Sequence, residues 1–302
     1  MAWRLHLSDR TIRRLDILSG KPTVLAAWTQ VNRVTFLDLQ NGSQQGDRTI
    51  EEVKAEDRRG KDWQAFIQTL TAPNGVYLPT VRTPQALISM TADGQMRLYQ
   101  TGAADVFLEI EGKESRLEVD GKTTFIAVAL DRSLGLMAAL DASAKLHIYQ
   151  QHIRVGIFET GLKIDEEFRP TLVISQGGTA LFMTDGRAVV VMDSGGRVRK
   201  RLDVHYRLGA INCSPDGHRF VASDLDDNVL RIYDGDLLPT HQRYAVDLLA
   251  EAKKAQLLAS SAMMSEALGP LAINNKGVLA FALSGTVCVT SLTRMKAYPK
   301  AI

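Results

Sequence analysis

Cysteine is nearly absent: Cys213 and Cys288 are the only two in 302 residues. Each lies in a short apolar alternating segment, which suits a buried free thiol and excludes a disulfide framework. Apolar runs are short, as in FIAVAL and AVVVM, and none approaches the ~18 residues of a membrane-spanning helix. Charge of one sign is not in excess either. Lys and Arg total 36 against 34 Asp and Glu, a net charge of +2, so neither nucleic-acid binding nor membrane insertion is expected. Arg4, Asp9, Arg10, Arg13 and Arg14 interrupt the N-terminus before a signal-peptide core could form. Together with the two unpaired thiols, this gives a reducing cytoplasm as the expected setting.

Chemistry-bearing motifs are missing as well. There is no glycine-rich phosphate loop, nucleophile elbow or zinc-binding helix signature. His147 and His152 stand five apart with no third ligand in view, unlike the tighter grouping of zinc sites. No catalytic residue, metal or cofactor is expected.

What the chain does contain is apolar material for a large core and a rhythm that distributes it. Hydrophobic residues make up 45% and charged residues 23%, an ordinary globular balance. Residues 214–236, SPDGHRFVASDLDDNVLRIYDGD, contain two β-rich segments flanking a tight Asp-rich turn, and LGAINC upstream ends at the Pro-Gly turn. The unit recurs at 123–160, 170–204, 75–110, 268–292 and, more weakly, 23–42. Its central turns fall near residues 32, 93, 142, 185, 226 and 284. The Asp-Gly pairs at 93–94, 185–186, 216–217 and 234–235 read as turn chemistry rather than cation ligands, because hairpin turns favour residues that tolerate positive φ.

A repeat of about 40 to 45 residues and four strands is the signature of a propeller blade. The six intervals exhaust the chain, so the expectation is an all-β single domain over 1–302 with six four-stranded blades. Seven would require a further hairpin hidden in the longer intervals or in residues 1–22. Residues 1–22 are expected to close the ring by pairing with a strand near 294–299.

The stretch 205–236 resembles a repeat of the WD-repeat propeller family. SPDG closes the inner strand, DLDDN occupies the turn where the family places a structural Asp, and Tyr233-Asp234 replaces its Trp-Asp pair. The resemblance implies a buried hydrogen-bond network on His205, Ser223, Asp226 or Asp227, and Tyr233, which fastens strands and is not catalytic. Elsewhere Tyr99-Gln100, Tyr149-Gln150 and Met192-Asp193 stand in for the pair, so most of the chain shares the rhythm rather than the motif.

Two insertions break the rhythm. In 60–70, Trp63, Phe66, Ile67 and Leu70 recur at helical spacing. The stretch 246–268 is rich in helix formers and stops at Gly269-Pro270. Both occupy connections between successive blades and should emerge on one face. The basic run 196–207 falls on an outermost strand, where charge guards against edge pairing. The function expected is a non-enzymatic scaffold or adaptor that binds another protein on that face. Trp63, Phe66 and Ile67, with Leu257, Leu258 and Met264, are the candidate anchors, since aromatics and Met are enriched at interfaces. The alternative is an enzyme or small-ligand binder using the central channel.

Overall fold

The computed structural model describes residues 3–6, 12–17, 24–29, 33–49, 85–91, 96–101, 105–111, 113–120, 123–131, 133–165, 168, 170–254, 269–283, 286–294 and 296–297. Six antiparallel sheets follow one another along the chain after the N-terminal strand β1 (Trp3–His6). The first holds β2 (Ile12–Ile17), β3 (Val24–Thr29), β4 (Arg33–Asp38) and β5 (Gln44–Thr49). In the second are β6 (Gln85–Met90), β7 (Met96–Thr101), β8 (Asp105–Ile110) and β9 (Lys113–Arg116). The third comprises β10 (Phe125–Asp131), β11 (Leu136–Asp141), β12 (Lys145–Gln150) and β13 (Ile153–Glu159). The fourth runs β14 (Thr171–Ile174), β15 (Leu181–Thr184), β16 (Ala188–Met192) and β17 (Val198–Asp203). The fifth contains β18 (Leu208–Cys213), β19 (Arg219–Asp224), β20 (Val229–Asp234) and β21 (Pro239–Tyr244). β22 (Leu271–Ile273), β23 (Val278–Leu283) and β24 (Thr286–Ser291) begin the sixth.

The middle strands are apolar on both faces, as LMAALD in β11 and AVVVM in β16 show, with every residue buried. A sheet clothed on both sides needs such continuous runs rather than alternation. The buried residues gather into five clusters among the described residues, each between two consecutive sheets. Phe182 of β15 and Phe220 of β19, for instance, stack across the fourth and fifth sheets with ring centroids 5.1 Å apart, worth about 0.5–1.5 kcal/mol beyond the area they bury. The first strands touch in the order β6, β10, β14, β18, β22, β2. Sheets packed face to face, with their first strands in sequence around the middle, make this a β-propeller with six blades.

The ring closes through the N-terminal strand, but not with the partner expected. β1 pairs antiparallel with β24, Trp3 opposite Val289 and His6 opposite Thr286, and completes the sixth blade. The strand near 294–299 is β25 (Lys296–Ala297), and it caps the outer edge of β21 in the fifth blade instead. β24 is already the third strand of the last blade, so the chain passes beyond that blade before β25 forms. The second blade also differs. Positions 93 and 94 lie outside the described residues, in sequence between β6 and β7, whereas the break at the centre of this blade falls between β7 and β8. Tyr99-Gln100 therefore sits on the second strand. An Asp-Gly pair serves any tight turn, so turn chemistry alone did not identify which one.

The Asp of the aromatic-Asp pair has a local role. Asp234 Oδ1 accepts from the backbone N–H groups of Asp236 and Leu238. Asp193 does the same for Gly195 and Arg197, and Asp38 for Gln40 and Asn41. These side chains pin the turn into the outer strand. Just before each turn the pairing slips, between Phe36 and Leu37, Val191 and Met192, and Ile232 and Tyr233. A register shift there bends the outer strand and blunts a sheet edge. In β17 the charges are also matched locally, with Arg199 on Asp193 at 3.7 Å and Arg201 on Asp203 at 2.7 Å.

Candidate functional site

In a four-stranded meander the first and third turns lie at one end, while the second turn and the connection to the next blade lie at the other. The connection 204–207 and the turn 225–228 thus emerge together. So does helix α1 (Ala245–Lys254), the start of the second insertion, which follows β21. Its first turn is held by Ala245 N–H donating to the Asn228 carbonyl at 2.8 Å. Ala245 and Leu248 are buried against Val221, Leu230 and Ile273 of the fifth and sixth blades, so this part of the insertion packs on its own propeller. Tyr244 and Val246 remain exposed beside it.

On this face, at the junction of the fourth and fifth blades, opens a cleft of about 490 Å³. Leu202, Val204 and Pro239 form apolar wall, and Tyr206, Tyr233, Arg231, His205, Asp203, Asp226 and Asp227 supply its polar groups. Three segments of different sequence position converge here because the blade interface fixes them.

The floor is a charged and aromatic assembly. Asp224, wholly buried at the end of β19, accepts from Arg231 Nε at 3.0 Å and from its terminal nitrogen at 2.6 Å. Its other oxygen accepts from the backbone N–H groups of Asp226 and Asp227 at 3.0 and 3.1 Å. The Arg231 guanidinium lies 4.3 Å from the Tyr206 ring centroid, in cation–π geometry, and the hydroxyls of Tyr206 and Tyr233 are 2.5 Å apart. Burial works against the Arg231 charge, but the hydrogen bonds it donates to Asp224, with the electrostatic pull of Tyr206, Asp224 and Tyr233, outweigh it and its pKa is raised. Arg207 grips Asp226 through both its side chain and its backbone N–H, at 2.8 and 2.9 Å, and these bonds hold the Asp226 carboxyl below its usual range. The Arg201 hydrogen bond does the same for Asp203. Both carboxylates are therefore ionised across the neutral range.

Of the residues in the expected fastening network, His205, Asp226, Asp227 and Tyr233 line this cleft, and Ser223 lies in the β18–β19 pairing behind it, accepting from Ala210 N–H at 2.8 Å. The backbone carbonyl of His205 accepts from Arg187 at 3.4 Å. Asp226 bonds Arg207, Asp227 approaches Arg231 at 3.5 Å, and Tyr233 meets Tyr206. A pairing of Asp in a central turn with a third-strand His is found in the third blade: His147 Nε2 and Asp141 Oδ2 are 2.8 Å apart and buried, with Phe125 packed edge-on against the imidazole. Trp63, Phe66, Ile67, Leu257, Leu258 and Met264 lie outside the described residues.

Arg231, Tyr206 and Asp224 carry the site and were not singled out from sequence. Arg231 sits within NVLRIYD, where it reads as an ordinary polar position of a strand. Its burial depends on the β19–β20 register, which sets it opposite Ala222 and diagonal to Asp224. Among the described residues no group of three or more His, Cys, Asp or Glu is placed to hold a metal ion, and no helix is long and apolar enough to cross a membrane.

The class these observations define is a six-bladed β-propeller. The β-propeller domain of Cps50 (Swd1) from Myceliophteria thermophila is similar in structure, with a TM-score of 0.53, 12% identity, and coverage of 93% of this chain and 82% of that one. As many as 1404 solved chains match, so the fold is widely shared and does not by itself select a function. No protein-family model matches the sequence, and no curated protein does.

Proposed function

We propose that this chain is a protein-interaction scaffold or adaptor, working as one propeller unit over 1–302 in the cytoplasm. Its binding surface is the face where the blade-to-blade connections emerge. The observation that carries the reading is the cleft on that face, where side chains from β17, the 204–207 connection, the 225–228 turn and β20 are gathered by a rigid blade interface. Rigid blades hold such loops in register before a partner arrives, which lowers the ordering cost of binding. Trp63, Phe66 and Ile67 of one insertion, and Leu257, Leu258 and Met264 of the other, belong to blade-to-blade connections and extend the same surface in this reading. The buried thiols of Cys213 and Cys288 agree with a reducing setting.

The test is an affinity purification from source cells with three tagged baits: wild type, Trp63→Ala/Phe66→Ala, and Tyr206→Ala. The reading expects a protein recovered by wild type and lost by at least one variant whose melting temperature is preserved. A partner retained by both well-folded variants would place binding elsewhere.

A further inference from the structure

We propose that the cleft between the fourth and fifth blades binds a basic side chain, lysine or arginine, presented by a partner polypeptide. This rests on the interaction reading above and names the chemistry of its ligand. The cleft is amphipathic in a particular order. Leu202, Val204, Pro239 and the Tyr206 and Tyr233 rings offer an apolar channel for an alkyl stem, and long basic side chains pack such stems while keeping their heads polar. Carboxylates mark where the head would go. Asp203, Asp226 and Asp227 line the cleft, and their side chains are 70%, 37% and 65% exposed.

The cations already present do not fill that role. Arg231 is the one guanidinium in the lining, and it is committed to Asp224 by two hydrogen bonds and to the Tyr206 face, with its side chain 14% exposed. Arg201 and Arg207 hold Asp203 and Asp226 from outside the lining, and Arg187 donates to the His205 carbonyl beyond it. That leaves Asp227, whose contact with Arg231 is long at 3.5 Å, as the acceptor for an incoming head group. Asp227 and Asp226 are also fixed in place, because Asp224 binds both of their N–H groups. A lysine ammonium or arginine guanidinium laid along the apolar wall would reach the exposed Asp227 carboxylate without breaking the Tyr206–Tyr233 contact.

Three peptides test this on the purified full chain: Ac-Gly-Ser-Xaa-Ser-Gly with lysine, arginine or norleucine in the middle, titrated by ligand-observed NMR. Norleucine keeps the stem and removes the charge. The lysine or arginine peptide should bind at least about tenfold more tightly than norleucine, a difference of about 1.4 kcal/mol. Added salt should weaken that binding, Asp227→Asn should reduce it several-fold, and Glu159→Gln on the third blade should leave it unchanged. Equal binding of all three peptides, no binding by any, or full affinity in Asp227→Asn would overturn the assignment. If the peptides fail while affinity purification still yields a partner sensitive to Tyr206→Ala, the scaffold reading stands and only the ligand class is wrong. If the peptides bind and no partner is recovered, the cleft is established and the scaffold reading fails.

Discussion

Replacing Asp224 with Ala attacks the cleft from beneath. Asp224 is 1% exposed and makes four hydrogen bonds, two from Arg231 and two from the turn backbone. Removing one partner of a buried ion pair costs about 3–5 kcal/mol, because the other charge is left without compensation. The lost turn bonds add about 1–2 kcal/mol. A total near 4–7 kcal/mol, set against an unfolding entropy of roughly 0.6 kcal/mol per degree for a chain of this length, lowers Tm by about 7–12 °C. Pairing the change with Arg231→Met should return about half of the loss, since an apolar side chain no longer needs the carboxylate. Guanidinium denaturation and calorimetry of the two single variants and the double variant form the cycle. Additivity of the two losses, or a cost under about 1 kcal/mol for Asp224→Ala, would refute the claim that the pair anchors this turn.

Other outcomes follow from single positions. Burial pushes the Tyr149 phenol up from 10.0 to about 12, while its hydroxyl donates to the Glu118 carbonyl at 2.8 Å. The folded state keeps this proton longer than the unfolded chain, so the group's contribution is complete below pH 10 and is lost as pH rises through about 12. Alkaline absorbance titration should show one late phenol that disappears in Tyr149→Phe. Gly196 has φ 81° and faces the Phe158 ring so closely that an added Cβ would overlap it, so Gly196→Ala should cost about 1–3 kcal/mol in denaturant unfolding. Deleting residues 1–6 removes β1 from the sixth blade and should lower Tm sharply, whereas replacing Lys296 and Ala297 of the short β25 with Pro should cost far less.

The rhythm of the fold was legible because each blade repeats the same local needs: two-sided apolar strands and turns rich in Asp and Gly. Five of six central turns fall where the rhythm expects them, at the breaks before Arg33, Lys145, Ala188, Val229 and Thr286. The sixth was displaced because Asp93-Gly94 satisfies a first turn as well as a central one. Ring closure was legible as a need, since a propeller must unite its ends. Its register was not, because WRLH and the residues near 296 are equally able to form short strands. The cleft was legible only in part. Asp226, Asp227 and Tyr233 are visible in a motif-like stretch, but Arg231 and Tyr206 matter through the pairing of β19 with β20 and the packing of one blade on the next. No pattern within a single strand encodes those.

Site-specific photocrosslinking tests the interaction face most directly. p-Benzoylphenylalanine placed at position 205, in the exposed blade connection that lines the cleft, is compared with the same residue at position 40, in the β4–β5 turn at the opposite end of the blades. One partner should be crosslinked from 205 and not from 40. Crosslinking from 40 alone, or from neither position in cells where the protein is folded and abundant, would contradict it.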